Sequence, residues 1–321
     1  MTRKLLLFDV DGVLLDPGGY RQSMKASVKR ISLALGLVGF ELSDNQIAHF
    51  EALSITNEWD TLAISTALIL IKVWQFEPDV RLRSLLPKEV PITDQAPEMD
   101  AFLGSFEPIG NLPNQSAFEK LILEHPDLTP GQIEHLRKIL FEAREIHRSL
   151  TLPGYQETVL GSEVFERNYG LPSQLAIASY LTMYDRPAMD HEKRSSLLDW
   201  LSKPDHAAGI MTNRPSAAPP GYLSSPEAEL GAERAGMDGL PLLGSGMLAW
   251  FAVTQCDLPE HTFLKPNPVH ALALMLMCLG KEPQRALTAA YDLWRRKGNR
   301  EDWIRLDAAV VTIFVDAVKG F

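Results

Sequence analysis

The segment Leu5-Leu6-Leu7-Phe8 is apolar without interruption and closes on Asp9-Val10-Asp11-Gly12. A strand with one wet face alternates apolar and polar residues, whereas one buried on both faces reads as a continuous apolar run. This stretch therefore predicts a central strand of a parallel sheet, with acidic side chains at its C-terminal end. Parallel strands need crossover connections, usually helices, so the rest of the chain should alternate between the two.

The remaining sequence follows that expectation. Met24, Val28, Ile31 and Leu35 recur at helical spacing and predict one buried helix face. Thr129, Pro130 and Gln132 supply a cap, a first-turn proline and a capping-box partner, so a helix is predicted over 129–148. Its stripe is Ile133, Leu136, Leu140, Ala143 and Ile146. Six prolines between 76 and 116 predict loops and short turns there. Further strands are predicted at Ala207–Met211, Leu240–Leu243 and Ala308–Val315, with helices over 156–202 and Pro268–Leu279. Gly244-Ser245-Gly246 lacks the third glycine of a dinucleotide fingerprint and is expected to be a turn. The fold class is α/β. Residues 1–17 and 201–321 would form the sheet domain, and residues 18–200 a mostly helical domain inserted after the first strand. Asp16 to Gly19, where Pro17, Gly18 and Gly19 interrupt the pattern, and the stretch near Lys203-Pro204 are the hinge candidates, with an ordinary interdomain linker as the alternative.

At 321 residues the chain has room for two such cores. Its net charge of -10 disfavours nucleic acid and anionic membranes, both of which repel an acidic surface. The apolar run Leu62–Trp74 is shorter than a membrane span and carries Ser65, Thr66 and Lys72, so it reads as a buried helix. The N-terminus lacks a signal-peptide pattern. Cys256 and Cys278 sit in apolar surroundings without CxxC spacing and read as reduced thiols. A cytoplasmic location is the expectation. The oligomeric state is left open; a homo-oligomer would suit an apolar helical face.

Four short pieces lie at predicted strand ends or helix starts, where α/β sheets gather their ligand-binding groups. Asp9 and Asp11 could supply a nucleophilic carboxylate and a neighbouring acid/base, with Gly12 permitting the sharp turn. The hydroxyl of Thr212 and the amide of Asn213 suit phosphate oxygens. Lys265, before Pro266, could neutralise a phosphoryl dianion. Asp316, after the last apolar run, could complete a hard-oxygen magnesium site with Asp9 and Asp11.

In this order the four pieces resemble the motifs of the haloacid dehalogenase superfamily of aspartate-nucleophile phosphohydrolases. Asp9 and Asp11 match its DxDG motif, Thr212 its Ser/Thr motif and Lys265 its lysine motif. Phe314-Val315-Asp316-Ala317-Val318-Lys319-Gly320 is similar to its FEDAVKG motif. The resemblance implies a Rossmann-like core with a helical cap, Mg2+ as cofactor and a small phosphorylated substrate. It assigns Asp9 as nucleophile and metal ligand, and Asp11 as general acid/base and metal ligand through its carbonyl. Thr212, Asn213 and Lys265 become the phosphate-binding residues, and Asp316 a metal ligand. Val315 stands where relatives often carry an acidic residue, which implies weaker magnesium binding. The chain also stops at Phe321, where relatives usually continue. Phosphomonoester hydrolysis is the leading expectation, with a phosphomutase of the same superfamily or a non-catalytic binding protein as alternatives. Carbon–halogen hydrolysis is disfavoured because relatives doing it lack an equivalent of Asp11.

Overall fold

The computed structural model describes residues 3–110, 112–295, 297, 303 and 309–314. The chain divides into two units, Met1–Gly18 with Leu181–Phe321, and Gly19–Tyr180.

The first unit is built on strands β1 (Lys4–Phe8), β2 (Leu15–Asp16), β3 (Arg186–Pro187), β4 (His206–Met211), β5 (Leu242–Leu243) and β6 (Val310–Phe314). Four of them form one sheet in the order β5-β4-β1-β6, and every pairing in it is parallel. The apolar run at the N-terminus is thus an interior strand. Phe8 lies level with Ile210 on one side and Phe314 on the other, and the Phe8 and Phe314 rings stack at 5.2 Å.

Successive strand residues face opposite sides of a sheet, and β1 and β4 each feed two cores. Leu7 and Met211 pack with Leu248, Phe251, Ala273, Leu274, Leu287 and Ala290 from helices Ser245–Cys256, Pro268–Cys278 and Pro283–Trp294. Phe8, Ala208 and Ile210 pack with Ala232, Ala235 and Met237, and with Leu197 and Leu201 at the margin. Helices therefore cover both faces of the sheet, as a parallel sheet requires.

Residues 181–200, expected in the inserted domain, fall in the first unit. The reason is local pairing. Strand β3 forms an antiparallel ribbon with β2, setting Leu15 against Pro187 and Asp16 against Arg186. Helix His191–Leu201 follows directly and packs beside β4. The chain passes from one unit to the other at Gly18–Gly19 and returns at Tyr180–Leu181, ahead of Lys203-Pro204.

Gly244-Ser245-Gly246 is not an isolated turn. It joins β5 to the helix Ser245–Cys256, with Gly244 as N-cap. A Cβ at Gly246 would land on the Ser216 carbonyl oxygen and the Ser224 hydroxyl, so the helix start and the loop after β4 are in backbone contact. Gly246→Ala is expected to cost about 2–3 kcal/mol of stability through overpacking. Denaturant unfolding checks this, and an unchanged midpoint would mean that the loop yields freely.

The second unit is helical among its described residues. Its longest helices are Gly19–Ala34 and Glu58–Trp74, and the four spaced residues Met24, Val28, Ile31 and Leu35 are all buried. The segment Leu62–Trp74 lies within the second helix and is buried except for Lys72. Thr129 caps the helix Pro130–Phe141, and the reciprocal Gln132 bond completes a capping box. That helix stops at Phe141 rather than 148. Beyond it, Arg144 leaves the helical path to form a two-pronged pair with buried Asp60, at 3.1 and 2.5 Å. The described residues of the proline-rich stretch are mainly loop, interrupted by the short helix Met99–Gly104, and its last proline opens the helix Pro113–Glu124. Among the described residues no helix is long and apolar enough to cross a membrane.

Candidate active site

The site is assembled at the C-terminal ends of β1 and β4. Asp9 follows β1 directly, and its amide still donates to Phe314 O at 2.9 Å, so the neighbouring edge strand holds its backbone. One carboxylate oxygen accepts from the Val10 amide at 2.8 Å. The other meets the Lys265 ammonium at 2.5 Å. The Asp9 side chain is only 12% exposed and that of Lys265 18%. Burial raises the Asp9 pKa above the ordinary carboxylate range, although the ammonium and the Val10 amide pull it down. Removing a carboxylate from water disfavours its charged form, and Lys265 is the largest of the influences that oppose it.

Lys265 is positioned by two neighbours. Its backbone amide donates to Asn213 Oδ1 at 3.1 Å, tying the lysine loop to the residue after Thr212. The helix Pro268–Cys278 starts just beyond, capped by Asn267. Its buried His270 shares a 2.9 Å hydrogen bond between Nε2 and the Leu243 carbonyl, which also accepts the Thr212 amide at 3.2 Å. Burial pushes the His270 pKa down to about 4, so the ring is neutral at pH 7 and Nε2 donates. The ends of β4, β5 and this helix are thus bonded together around one carbonyl.

Thr212 is buried, and its hydroxyl oxygen accepts the Arg214 amide at 3.1 Å, forming a tight turn. Asn213 is exposed, and its side chain serves the Lys265 loop, whereas the sequence suggested only a phosphate-binding amide. After Asp11 the chain reverses through Gly12, whose φ of 74° is the left-handed conformation that glycine adopts readily. The Gly12 amide donates to Leu15 O at 2.8 Å.

Asp11 does not join the Asp9–Lys265 pair. Both of its oxygens accept from Arg214, with Nη2 at 2.6 Å and Nε at 3.0 Å. Arg214 went unremarked in the sequence because an arginine after Thr-Asn carries no spacing signal, and its partner lies 203 residues away. The same guanidinium meets Asp185 Oδ2 at 2.9 Å.

Asp316 lies outside the described residues, as does Val315. Among the described residues no three His, Cys, Asp or Glu side chains cluster as a metal site. The chemistry of the donors nevertheless suits a hard cation: the buried Asp9 carboxylate and the Asp11 carbonyl are oxygens of the kind magnesium selects.

No family model matches the chain, and no curated protein matches it. Two solved structures are similar to it. One is the X-ray structure of Northeast Structural Genomics Consortium target ZR25, 16% identical with a TM-score of 0.66 over 98% of this chain and 89% of that one. The other is phosphatase Tt82 from Thermococcus thioreducens, 16% identical with a TM-score of 0.45 over 98% of this chain and 92% of that one. The first supports the α/β fold with its parallel sheet and helical segments.

Proposed function

We propose that this chain is a phosphohydrolase of the haloacid dehalogenase type, acting on a small phosphomonoester through an aspartyl-phosphate. The observation that carries the reading is the buried Asp9 carboxylate, 2.5 Å from the Lys265 ammonium, at the end of a central parallel strand. A carboxylate kept in a desolvated site with a matched cation is a nucleophile poised against an anionic substrate.

A carboxylate oxygen of Asp9 attacks phosphorus, forming an O–P bond as the bond to the leaving oxygen breaks. Asp11, two residues on, delivers a proton to that oxygen. Water then attacks the phosphorus of the acyl-phosphate, Asp11 takes up its proton, and inorganic phosphate departs with Asp9 restored. Lys265 balances the charge of Asp9 and of the phosphoryl oxygens, while Thr212 and the Asn213 amide hold those oxygens. The Asp9 carboxylate, the Asp11 carbonyl and Asp316 would hold Mg2+. When bound, it supplies neutralising charge beside the transferring phosphoryl group.

The test is release of inorganic phosphate from para-nitrophenyl phosphate and from a panel of phosphorylated metabolites. Turnover is expected with Mg2+ and should fall to background with EDTA. No phosphate from any phosphomonoester, with Mg2+ supplied, would end this reading.

A further inference from the structure

Asp11, Arg214 and Asp185 form a chain of ion pairs in the first unit. Arg214 is 2% exposed at its side chain and Asp185 fully buried. Arg214 presents a fork to Asp11, with Nη2 on Oδ1 at 2.6 Å and Nε on Oδ2 at 3.0 Å, and Nη2 also reaches Asp185 Oδ2 at 2.9 Å. Two further bonds anchor Asp185. Its Oδ1 accepts the Gly18 amide at 3.0 Å, and its carbonyl accepts Arg234 Nε at 2.9 Å. A guanidinium buried between two carboxylates is held in one plane, and a bidentate fork transmits that plane to its partner. The Asp11 carboxylate has a side-chain exposure of 20%, and both of its oxygens accept from the Arg214 fork, so that fork sets the direction in which it faces.

We infer that Arg214 and Asp185 are positioning residues for the proton-transfer function of Asp11. Arg214 fixes the direction in which the Asp11 carboxyl faces, and Asp185 fixes Arg214. Neither touches the transferring phosphoryl group. The inference rests on the reading of Asp9 as nucleophile and Asp11 as acid/base, and it deepens that reading.

Leaving-group dependence separates positioning from general structural support. Expulsion of an alkoxide needs a proton donor, whereas para-nitrophenolate leaves without one, and a placed general acid contributes about 10²–10⁴-fold. Single-turnover release of the leaving group is measured for a simple alkyl phosphate and for para-nitrophenyl phosphate with wild type, Arg214→Lys, Arg214→Ala and Asp185→Asn. Circular dichroism and the thermal midpoint report folding.

The expected result is that the alkyl-to-aryl rate ratio falls by about 10-fold or more in folded Arg214 and Asp185 variants. The same substitutions should leave the ratio unchanged when Asp11 is already Asn. Equal losses on both substrates, or an undiminished effect in the Asp11→Asn background, would overturn the inference. Asp185→Asn keeps shape and leaves the Asp11–Arg214 pair in place, so it decides the matter if the Arg214 variants fail to fold. Wild-type activity that survives Asp9→Asn would instead remove the underlying mechanism, so the two failures are distinct.

Discussion

Asp9→Asn is expected to lower phosphate release from every accepted phosphomonoester by about 10⁴-fold or more, the scale seen when a covalent nucleophile is removed. The substitution is nearly isosteric, and an amide is far too weak a nucleophile to form the acyl-phosphate. Its oxygen can still accept either the Val10 amide or the Lys265 ammonium, which now bond separate carboxylate oxygens. The thermal midpoint should therefore fall by only a few degrees. Phosphate release and thermal unfolding of the same preparation check both parts. A folded Asp9→Asn protein with wild-type turnover would remove Asp9 from the chemistry.

Lys265→Ala should have the next largest effect, on both activity and stability. It strips the counter-ion from a buried carboxylate, a change that costs about 3–5 kcal/mol in buried pairs; partial exposure of both groups places this pair near the lower figure. The pH dependence follows from Asp9. Burial already raises its pKa, and the ammonium is the main opposing influence, so without Lys265 the pKa rises further. A raised folded-state pKa gives a stabilising contribution that is full below the unfolded value and is lost as pH rises through the folded one. The stability gap between Lys265→Ala and wild type should thus be wider at pH 7 than at pH 4. The acidic limb of the kcat/KM profile should move to higher pH, because Asp9 must ionise to attack. Turnover at pH 7 should fall by about 10²–10³-fold, the range for removing one charge-stabilising group. Thermal unfolding at the two pH values and a pH–rate profile test this. A gap of equal size at both would show that Lys265 does not hold the charge of Asp9.

The elements were legible where local chemistry alone decides them. The uninterrupted Leu5–Phe8 run forms the interior strand β1. The cap, proline and glutamine near 129 mark a helix start that the hydrogen bonds reproduce. The helix end at 148 was not legible, because Arg144 turns toward Asp60, 84 residues earlier. The unit boundary near 181 was equally hidden, since two-residue strands such as β2 and β3 carry no periodic signal.

The candidate site divides along the same line. A residue's place at the end of a strand or ahead of a helix follows from apolar runs and turn residues that are contiguous in the chain, so the positions of Asp9, Asp11 and Thr212 after strands and of Lys265 before a helix were legible from sequence. Which charge meets which is settled by long-range packing. The tertiary structure gives Lys265 to Asp9, turns Asp11 toward Arg214, and backs Arg214 with Asp185. Ion pairs form between groups that the fold brings within a few ångströms in a place shielded from water, and neither that proximity nor that shielding is encoded in local spacing.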